Sequence, residues 1–293
     1  MAYSRGYKKE CPVCHKGNFW VTEDNGMRYC FNCKYVEHDH NVNYQPPAPS
    51  EHIDEIRGLY TQAAYYYHSS LDTKGRDFLH DRGFTDQTID TLQIGYCPTG
   101  MNPMYRSAIA KEAGLATQAH TAFLGDRITF PYFCDHTTVT DIRARAMSPN
   151  ADLIYKSPYN GSTFRGAIYP YNHHLTDTDQ PIILTEGEIK ADIAVQFNYP
   201  AIALPGINAW RKGIRLDRTY IILFDSQREH IKEVRNAITH VASQLTNPLV
   251  ATLPLLGDQK QDIDGFILKY GISLFNAVVD AALPYETWRE LQR

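Results

Sequence analysis

Apolar positions change their period along this chain, and the changes divide it into stretches. From Glu51 they recur at helical spacing: Ile53, Ile56, Leu59 and Tyr60, then Ala63, Ala64 and Tyr67. Lys74 to Arg82 reads as a second helix stopped by Gly83, and Thr85 caps a third whose inner face carries Ile89 and Leu92. The period then shortens. Arg127 to Asp141 predicts β-structure: Ile128 to Phe133, a turn at Asp135-His136, then Val139 to Ile142, a hairpin-rich sheet. From Pro181, short apolar runs alternate with helical stretches. Strands are expected at Ile182–Leu184, Ala201–Leu204, Tyr220–Phe224 and Val250–Leu253, with helices at Ile189–Phe197 and Glu229–Leu245. Strands alternating with helices predict a parallel α/β sheet.

The stretch up to about His40 shows neither period. It is short, polar and Cys-rich, and cannot bury much core by itself. Asn41 to Ser50 follows, with Pro46, Pro47 and Pro49 forcing an extended, solvated path that reads as a linker. Bulk properties add bounds. The 293 residues suffice for one large or two to three small domains, and 43% hydrophobic content allows a sizeable core. No run of about 18 apolar residues occurs, so no membrane span is expected, and Met1 to Arg5 leads into no secretory signal. A cytoplasmic protein is expected. The net charge of −4 weighs mildly against nucleic-acid binding, although Arg5, Lys8, Lys9, Lys16, Arg28 and Lys34 group near the start.

Four of the six cysteines form Cys11-Pro-Val-Cys14 and Cys30-Phe-Asn-Cys33, a C-x2-C…C-x2-C pattern. Two such knuckles bring four thiolates tetrahedrally onto one zinc ion, whose binding supplies folding energy to a segment with little core. A shell closed by four thiolates is structural. A redox pair or disulfides would be the alternative, disfavoured in a reducing compartment. His15 is expected to be a bystander, and Cys97 and Cys134 small core residues. Phe19, Trp20, Arg28, Tyr29, Phe31, Lys34 and Tyr35 interleave with the ligands, a mixture that suits stacking on unpaired bases or packing of the ribbon.

Acidic residues end the apolar runs of the C-terminal half. Glu186, in Thr185-Glu-Gly-Glu, ends one strand; Asp225 ends another; Asp262-Ile-Asp264 follows a third. Ligands of open α/β sheets bind at such strand ends, and magnesium takes hard carboxylate oxygens. Any one of these acids could be a helix cap; all together they suggest one metal-holding edge.

These stretches resemble DnaG-like DNA primases of bacteria and phages. Thr185-Glu-Gly-Glu-Ile-Lys-Ala-Asp192, Ala201 to Gly206 and Asp225 are similar to the toprim fold of topoisomerases and primases. Phe78 to Asp86 with Ile94-Gly-Tyr96 resembles the entry to the primase core. Gly125 to Pro131 and Ile142 to Arg145 resemble its basic strand pair, and Tyr155 to Pro158 and Phe164 to Tyr169 the approach to toprim. Gln261 to Asp264 resembles the third acidic motif. The resemblance runs in order from the cysteines to about Tyr270.

It implies an α/β multi-domain chain: a zinc ribbon over 1–40, a linker over 41–52, a basic α+β subdomain over 53–179, a toprim domain over 180–266 and a helical segment over 267–293. It implies primer synthesis by nucleotidyl transfer, with Glu186, Asp225, Asp262 and Asp264 holding magnesium or manganese, and one zinc on Cys11, Cys14, Cys30 and Cys33. Arg127, Arg143, Arg145, Lys156 and Arg165 would hold single-stranded DNA template and ribonucleoside triphosphates. Lys190 would touch phosphate or be a solvated helix charge. A phage or mobile-element origin and a separate replicative helicase are expected, since no phosphate-binding P-loop is present and only about thirty residues follow the acids. The sequence departs from the family at Asp225-Ser226-Gln227, where a second aspartate is usual. Either the remaining acids suffice or Glu229 substitutes. A toprim-type nuclease and a decayed zinc-ribbon DNA-binding accessory remain the rival readings.

Overall fold

The computed structural model describes residues 6–11, 15–17, 19–22, 27–30, 36–38, 50–135, 137–158, 179–204, 218–226, 231–254 and 261–292. The chain divides between Pro49 and Ser50 into two units. In the first, β1 (Gly6–Lys9), β2 (Phe19–Thr22), β3 (Met27–Cys30) and β4 (Val36–His38) pair antiparallel in sequence order.

The second unit begins with α1 (Ile53–Ser69), whose buried Ile56, Tyr60, Ala63, Ala64 and Tyr67 form the helical stripe expected from spacing. α2 (Thr73–His80) is capped by Asp72, which accepts from the Gly75 N–H at 2.9 Å. α3 (Asp86–Thr91) is capped as expected by Thr85, which accepts from the Thr88 N–H at 3.2 Å. Then come β5 (Gly95–Cys97), a 3-10 turn at Pro103–Arg106, α4 (Ala108–Glu112), β6 (Arg127–Phe133), β7 (Val139–Arg145) and β8 (Tyr155–Lys156). The sheet order is β5-β6-β7-β8, antiparallel throughout. α1 covers it, packing Ile56, Tyr60 and Tyr67 with Cys97, Leu124, Ile142 and Ala144. Cys97 is a core residue, as expected. Cys134 is not: it sits half-buried in the turn after β6, where a hairpin end has no layer above it.

The parallel sheet follows. Its elements are β9 (Ile182–Glu186), α5 (Glu188–Gln196), β10 (Ala201–Leu204), β11 (Tyr220–Ile222), α6 (Ile231–Ala242), β12 (Leu249–Val250), α7 (Ile263–Tyr270), α8 (Ile272–Asp280), β13 (Leu283–Pro284) and α9 (Tyr285–Leu291). Strand order is β10-β9-β11-β12-β13, parallel except for β13. β11 and β12 are shorter than the apolar runs suggest. Their ladder closes with Leu223 N–H to Leu184 O (2.9 Å) and Ala251 N–H to Ile222 O (3.1 Å).

Alternation along the strands sorts side chains onto two faces. Ile183, Ala203 and Ile221 join a core with α5, α7 and α8. Ile182, Leu184, Ile202, Leu204 and Ile222 join a second core with α6 and α9, including Val241 and Trp288. The first core also takes in Leu79, Phe84 and Ile89 of the α2–α3 region and Ile128 and Phe130 of β6. The antiparallel and parallel sheets therefore share buried apolar surface. Among the described residues no helix is long and apolar enough to cross a membrane.

Candidate active site

The acids reach one edge through the turn after β9, a backbone bridge beyond β11 and the cap of α7. Glu186 is the last residue of β9, and Gly187 then takes φ +86°, a conformation that L side chains rarely adopt. The sharp turn starts α5 at once and leaves Glu186 at the carboxyl end of the sheet, where open α/β sheets bind ligands. Beyond β11, Asp225 is buried at 3% exposure. Ser226 N–H then donates to Gln261 O (3.0 Å), and Gln261 N–H donates to Ser226 Oγ (3.2 Å). That bridge draws the start of α7 to the end of β11. Asp262 caps α7 by accepting from the Gly265 N–H at 3.1 Å, and Asp264 lies in its first turn at 1% exposure.

Lys190 and Arg82 enter this cluster. Lys190 Nζ lies 2.7 Å from Asp225 Oδ1. Burial disfavours its charge, but Asp225, then Glu186 and Asp262, outweigh burial and raise its pKa. Lys190 is therefore not a solvated helix charge: α5 turns it inward onto Asp225. Arg82 Nη1 lies 2.8 Å from Asp264 Oδ2, though not aligned as a hydrogen bond. Burial and then Asp262 push Asp264 up to about 6, while Arg82 and Lys190 pull the other way. Sequence reasoning assigned Arg82 no role. The available signal was Arg82-Gly83, a basic residue before a helix-stopping glycine. The loop is docked by Gln196, which accepts from the Thr85 N–H and donates to Gly83 O, each at 2.8 Å.

Glu188 was passed over in the sequence as well. It is fully buried, and its Oε1 accepts from the Tyr132 hydroxyl at 2.6 Å and from Arg143 Nη1 at 2.9 Å. Burial and then Glu188 raise the Tyr132 pKa well above its ordinary value. Burial opposes the Arg143 charge, but Glu188 and Tyr132 raise its pKa. Arg143 also stacks over Tyr155, 4.4 Å from the ring centre. The structure thus places Arg143 as a strut between β7 and α5.

Arg127, Arg145 and Lys156 behave differently. Arg127 donates to Gly125 O (2.9 Å) and Leu153 O (3.0 Å), and Lys156 to Phe123 O (3.3 Å). Arg145 lies over Phe78 and Tyr155, 5.3 and 5.9 Å from the ring centres. Burial and the nearby Arg127 push Lys156 below its ordinary value. Among the described residues none of the three pairs with a carboxylate. Such cations are suited to meet anions from outside.

In the first unit, Cys11 is buried, and its turn is closed by Cys11 N–H to Lys16 O and His15 N–H to Cys11 O, both 2.9 Å. Cys30 ends β3. His15 is exposed and faces Glu10 at 3.3 Å. Cys14, Cys33, Arg165, Gln227, Glu229 and the proline linker lie outside the described residues, as does the Cys30 side chain.

Among the described residues no three His, Cys, Asp or Glu side chains are close enough to hold a metal ion. The donor set nonetheless fits magnesium or manganese. These ions take one or two carboxylates and complete their shell with water and phosphate. Asp264 Oδ1 is buried and accepts no hydrogen bond among the described residues, an acceptor left over for a cation.

The family model described as a domain of unknown function, DUF3854, matches residues 171–274. The DNA primase of Geobacillus stearothermophilus is 26% identical, over 71% of this chain and 38% of that protein. The DNA primase of Haemophilus influenzae is 20% identical, over 95% of this chain and 56% of that protein. The chain thus spans about half or less of the length of these relatives. In fold, a DNA primase domain from Pseudomonas aeruginosa matches with a TM-score of 0.67 at 19% identity, covering 81% of this chain and 82% of that one. The zinc-binding and RNA polymerase domains of Aquifex aeolicus primase match at 0.62 and 15%, covering 97% and 80%. A DnaG primase catalytic domain bound to ssDNA matches at 0.63 and 18%, covering 80% and 81%. In sequence this chain is similar to DNA primases, and its mixed α/β fold is similar to the DnaG catalytic core.

Proposed function

We propose that this chain is a DNA primase that joins ribonucleotides on single-stranded DNA. One observation carries the reading: Glu186, Asp225, Asp262 and Asp264 converge at the carboxyl edge of the parallel sheet, around Lys190, in a fold similar to primase catalytic cores. In the reaction the 3′-hydroxyl oxygen of one ribonucleotide bonds to the α-phosphorus of the next. The α–β phosphoanhydride bond breaks, pyrophosphate leaves, and the hydroxyl proton passes to solvent. Magnesium or manganese held at this edge by one or two of these acids, with water and phosphate completing its shell, would lower the hydroxyl pKa and neutralise charge on the leaving group.

The protein's own part is positioning and charge stabilisation. Arg127, Arg145 and Lys156, with Arg165 assigned from sequence alone, hold template and triphosphate. Single-stranded DNA as the partner is supported by the similar DnaG domain seen with ssDNA. Four cysteines, Cys11, Cys14, Cys30 and Cys33, hold one structural zinc and make the first unit a zinc ribbon. The buried Cys11 in its closed turn and Cys30 at the strand end support this. The parallel sheet is read as a toprim module, and a separate helicase as the partner that supplies unwound template.

The test is incubation of purified chain with single-stranded DNA, radiolabelled ribonucleoside triphosphates and magnesium or manganese. Short labelled RNA is expected. Template cutting without synthesis would favour a nuclease, and binding alone an accessory protein; either result overturns the proposal.

A further inference from the structure

Tyr155 ends against the turn that follows Glu186, and the proposed reaction leaves it without a task. Its hydroxyl oxygen lies 3.8 Å from the point that a Cβ on Gly187 would occupy, the nearest atom there among the described residues beyond the chain neighbours of Gly187. Gly187 joins Glu186, the last residue of β9, to Glu188, the first of α5. The hydroxyl therefore faces the residue next to a carboxylate of the acidic edge, across a space that a side chain at Gly187 would fill. Arg143 and Arg145 hold the ring that carries it. The Arg143 guanidinium lies 4.4 Å from the ring centre and is itself fixed by Glu188 at 2.9 Å. Arg145 lies 5.9 Å from the same centre.

We propose that Tyr155 is a specificity-determining residue: its hydroxyl hydrogen-bonds the 2′-hydroxyl of the incoming nucleotide and so selects ribose over deoxyribose. The proposal rests on reading the acidic edge as the centre of nucleotidyl transfer. Position supports it. In that reading the α-phosphate reacts beside Glu186, and the sugar bonded to that phosphate lies within one group's breadth of it. The open space before Gly187, with the Tyr155 hydroxyl across it, is such a place. Chemistry supports it too. A phosphate calls for cations and a metal for carboxylates. A sugar hydroxyl is neutral and both donates and accepts, which a tyrosine hydroxyl matches. Burial and then Glu188 raise the Tyr155 pKa against the pull of Arg145 and Arg143, so the hydroxyl keeps its proton to donate. The guanidinium stacks also keep the ring from swinging out to water. A site built to bond a substrate hydroxyl disfavours the analogue that lacks it, because the site's own polar group is then left unpaired. The ring supports Arg143; the hydroxyl alone is assigned to the sugar.

The test is single-nucleotide extension of an RNA primer annealed to a DNA template, by the full chain with magnesium or manganese. The comparison is kcat/KM for a ribonucleoside triphosphate against its 2′-deoxy analogue. Wild type should prefer the ribonucleotide. In Tyr155→Phe, which keeps the ring beside Arg143, that preference should fall by about tenfold or more. Damage to the fold alone would lower both values and leave their ratio. If Tyr155→Phe does not fold, Tyr155→Leu is read by the same ratio. Wild type without a preference, or a variant as selective as wild type, overturns the role of Tyr155 and leaves the primase reading standing. The same holds if the variant changes only the choice between primers ending in ribose and in deoxyribose, since that sugar brings the attacking hydroxyl. Extension of neither nucleotide by wild type at any metal concentration overturns the primase reading, and the role of Tyr155 with it.

Discussion

Replacing Glu188 tests how the two sheets are joined. Glu188→Ala removes a fully buried carboxylate and strands two buried partners, the Arg143 guanidinium at 13% exposure and the Tyr132 hydroxyl. Removing one member of a buried ion pair costs about 3–5 kcal/mol, because the other charge stays buried and uncompensated. Glu188 Oε2 already lacks a hydrogen bond among the described residues, so the native pair is imperfectly compensated and the lower end applies, about 3 kcal/mol. Glu188→Gln keeps the volume and an acceptor for Tyr132 but loses the charge-assisted bond, at a cost of roughly 1.5–3 kcal/mol. Removing both charges in Glu188→Gln/Arg143→Met should recover much of the loss, since apolar replacement of a buried pair is near neutral. The assay is urea unfolding of the full chain by far-ultraviolet circular dichroism, with wild type, Glu188→Gln, Arg143→Met and the double variant forming a cycle and Glu188→Ala measured beside it. A Glu188→Ala protein within about 1 kcal/mol of wild type, or a double variant no more stable than Glu188→Gln, would refute the strut.

Single-stranded DNA affinity should fall steeply with salt despite the net charge of −4. If the four cations proposed to hold template, Arg127, Arg145, Lys156 and Arg165, each meet a phosphate, the log–log slope is about −3, and Lys156→Met should flatten it by about 0.7; an unchanged slope would exclude Lys156 from the interface. Elemental analysis should find one zinc per chain, absent from Cys30→Ser; zinc retained by that variant contradicts the four-cysteine site. Asp264 sits at about 6, above the ordinary carboxylate value, so between about pH 4 and 6 the folded chain binds a proton that the unfolded chain has lost. Stability from this group is greatest below about pH 4 and is lost as pH rises through 6. Between pH 7 and 5, metal-free wild type should therefore gain on the order of 1–2 kcal/mol relative to Asp264→Asn in thermal unfolding, and parallel curves would contradict this.

Long periodic stretches were legible because burial imposes period on sequence. The stripe Ile56, Tyr60, Ala63 and Tyr67 and the strand Ile182–Leu184 needed no tertiary knowledge. Short elements were not. β5 and β8 have three and two residues, too few for any period, and exist because β6 and β7 offer them edges. The acids were visible as strand-end residues, and their convergence was inferred from topology. Ion pairing was invisible, since it depends on which side chain another segment presents. Nothing near Lys190 or Arg82 in sequence announces Asp225 or Asp264, 35 and 182 residues away. Arg143 and Arg145 look alike along the chain. Alternation puts neither in a different class, yet Glu188 claims one and aromatic rings hold the other.

The central claim is that the acidic edge makes phosphodiester bonds on a template. The most direct measurement is formation of the first labelled dinucleotide from two ribonucleoside triphosphates on single-stranded DNA, at saturating manganese, with template affinity measured alongside. Wild type should form it. Glu186→Gln and Asp225→Asn should bind template within about threefold of wild type, since neither removes a phosphate-facing cation, and should form none. Dinucleotide made by either variant at the wild-type rate, or by no protein at any metal concentration, would contradict the account.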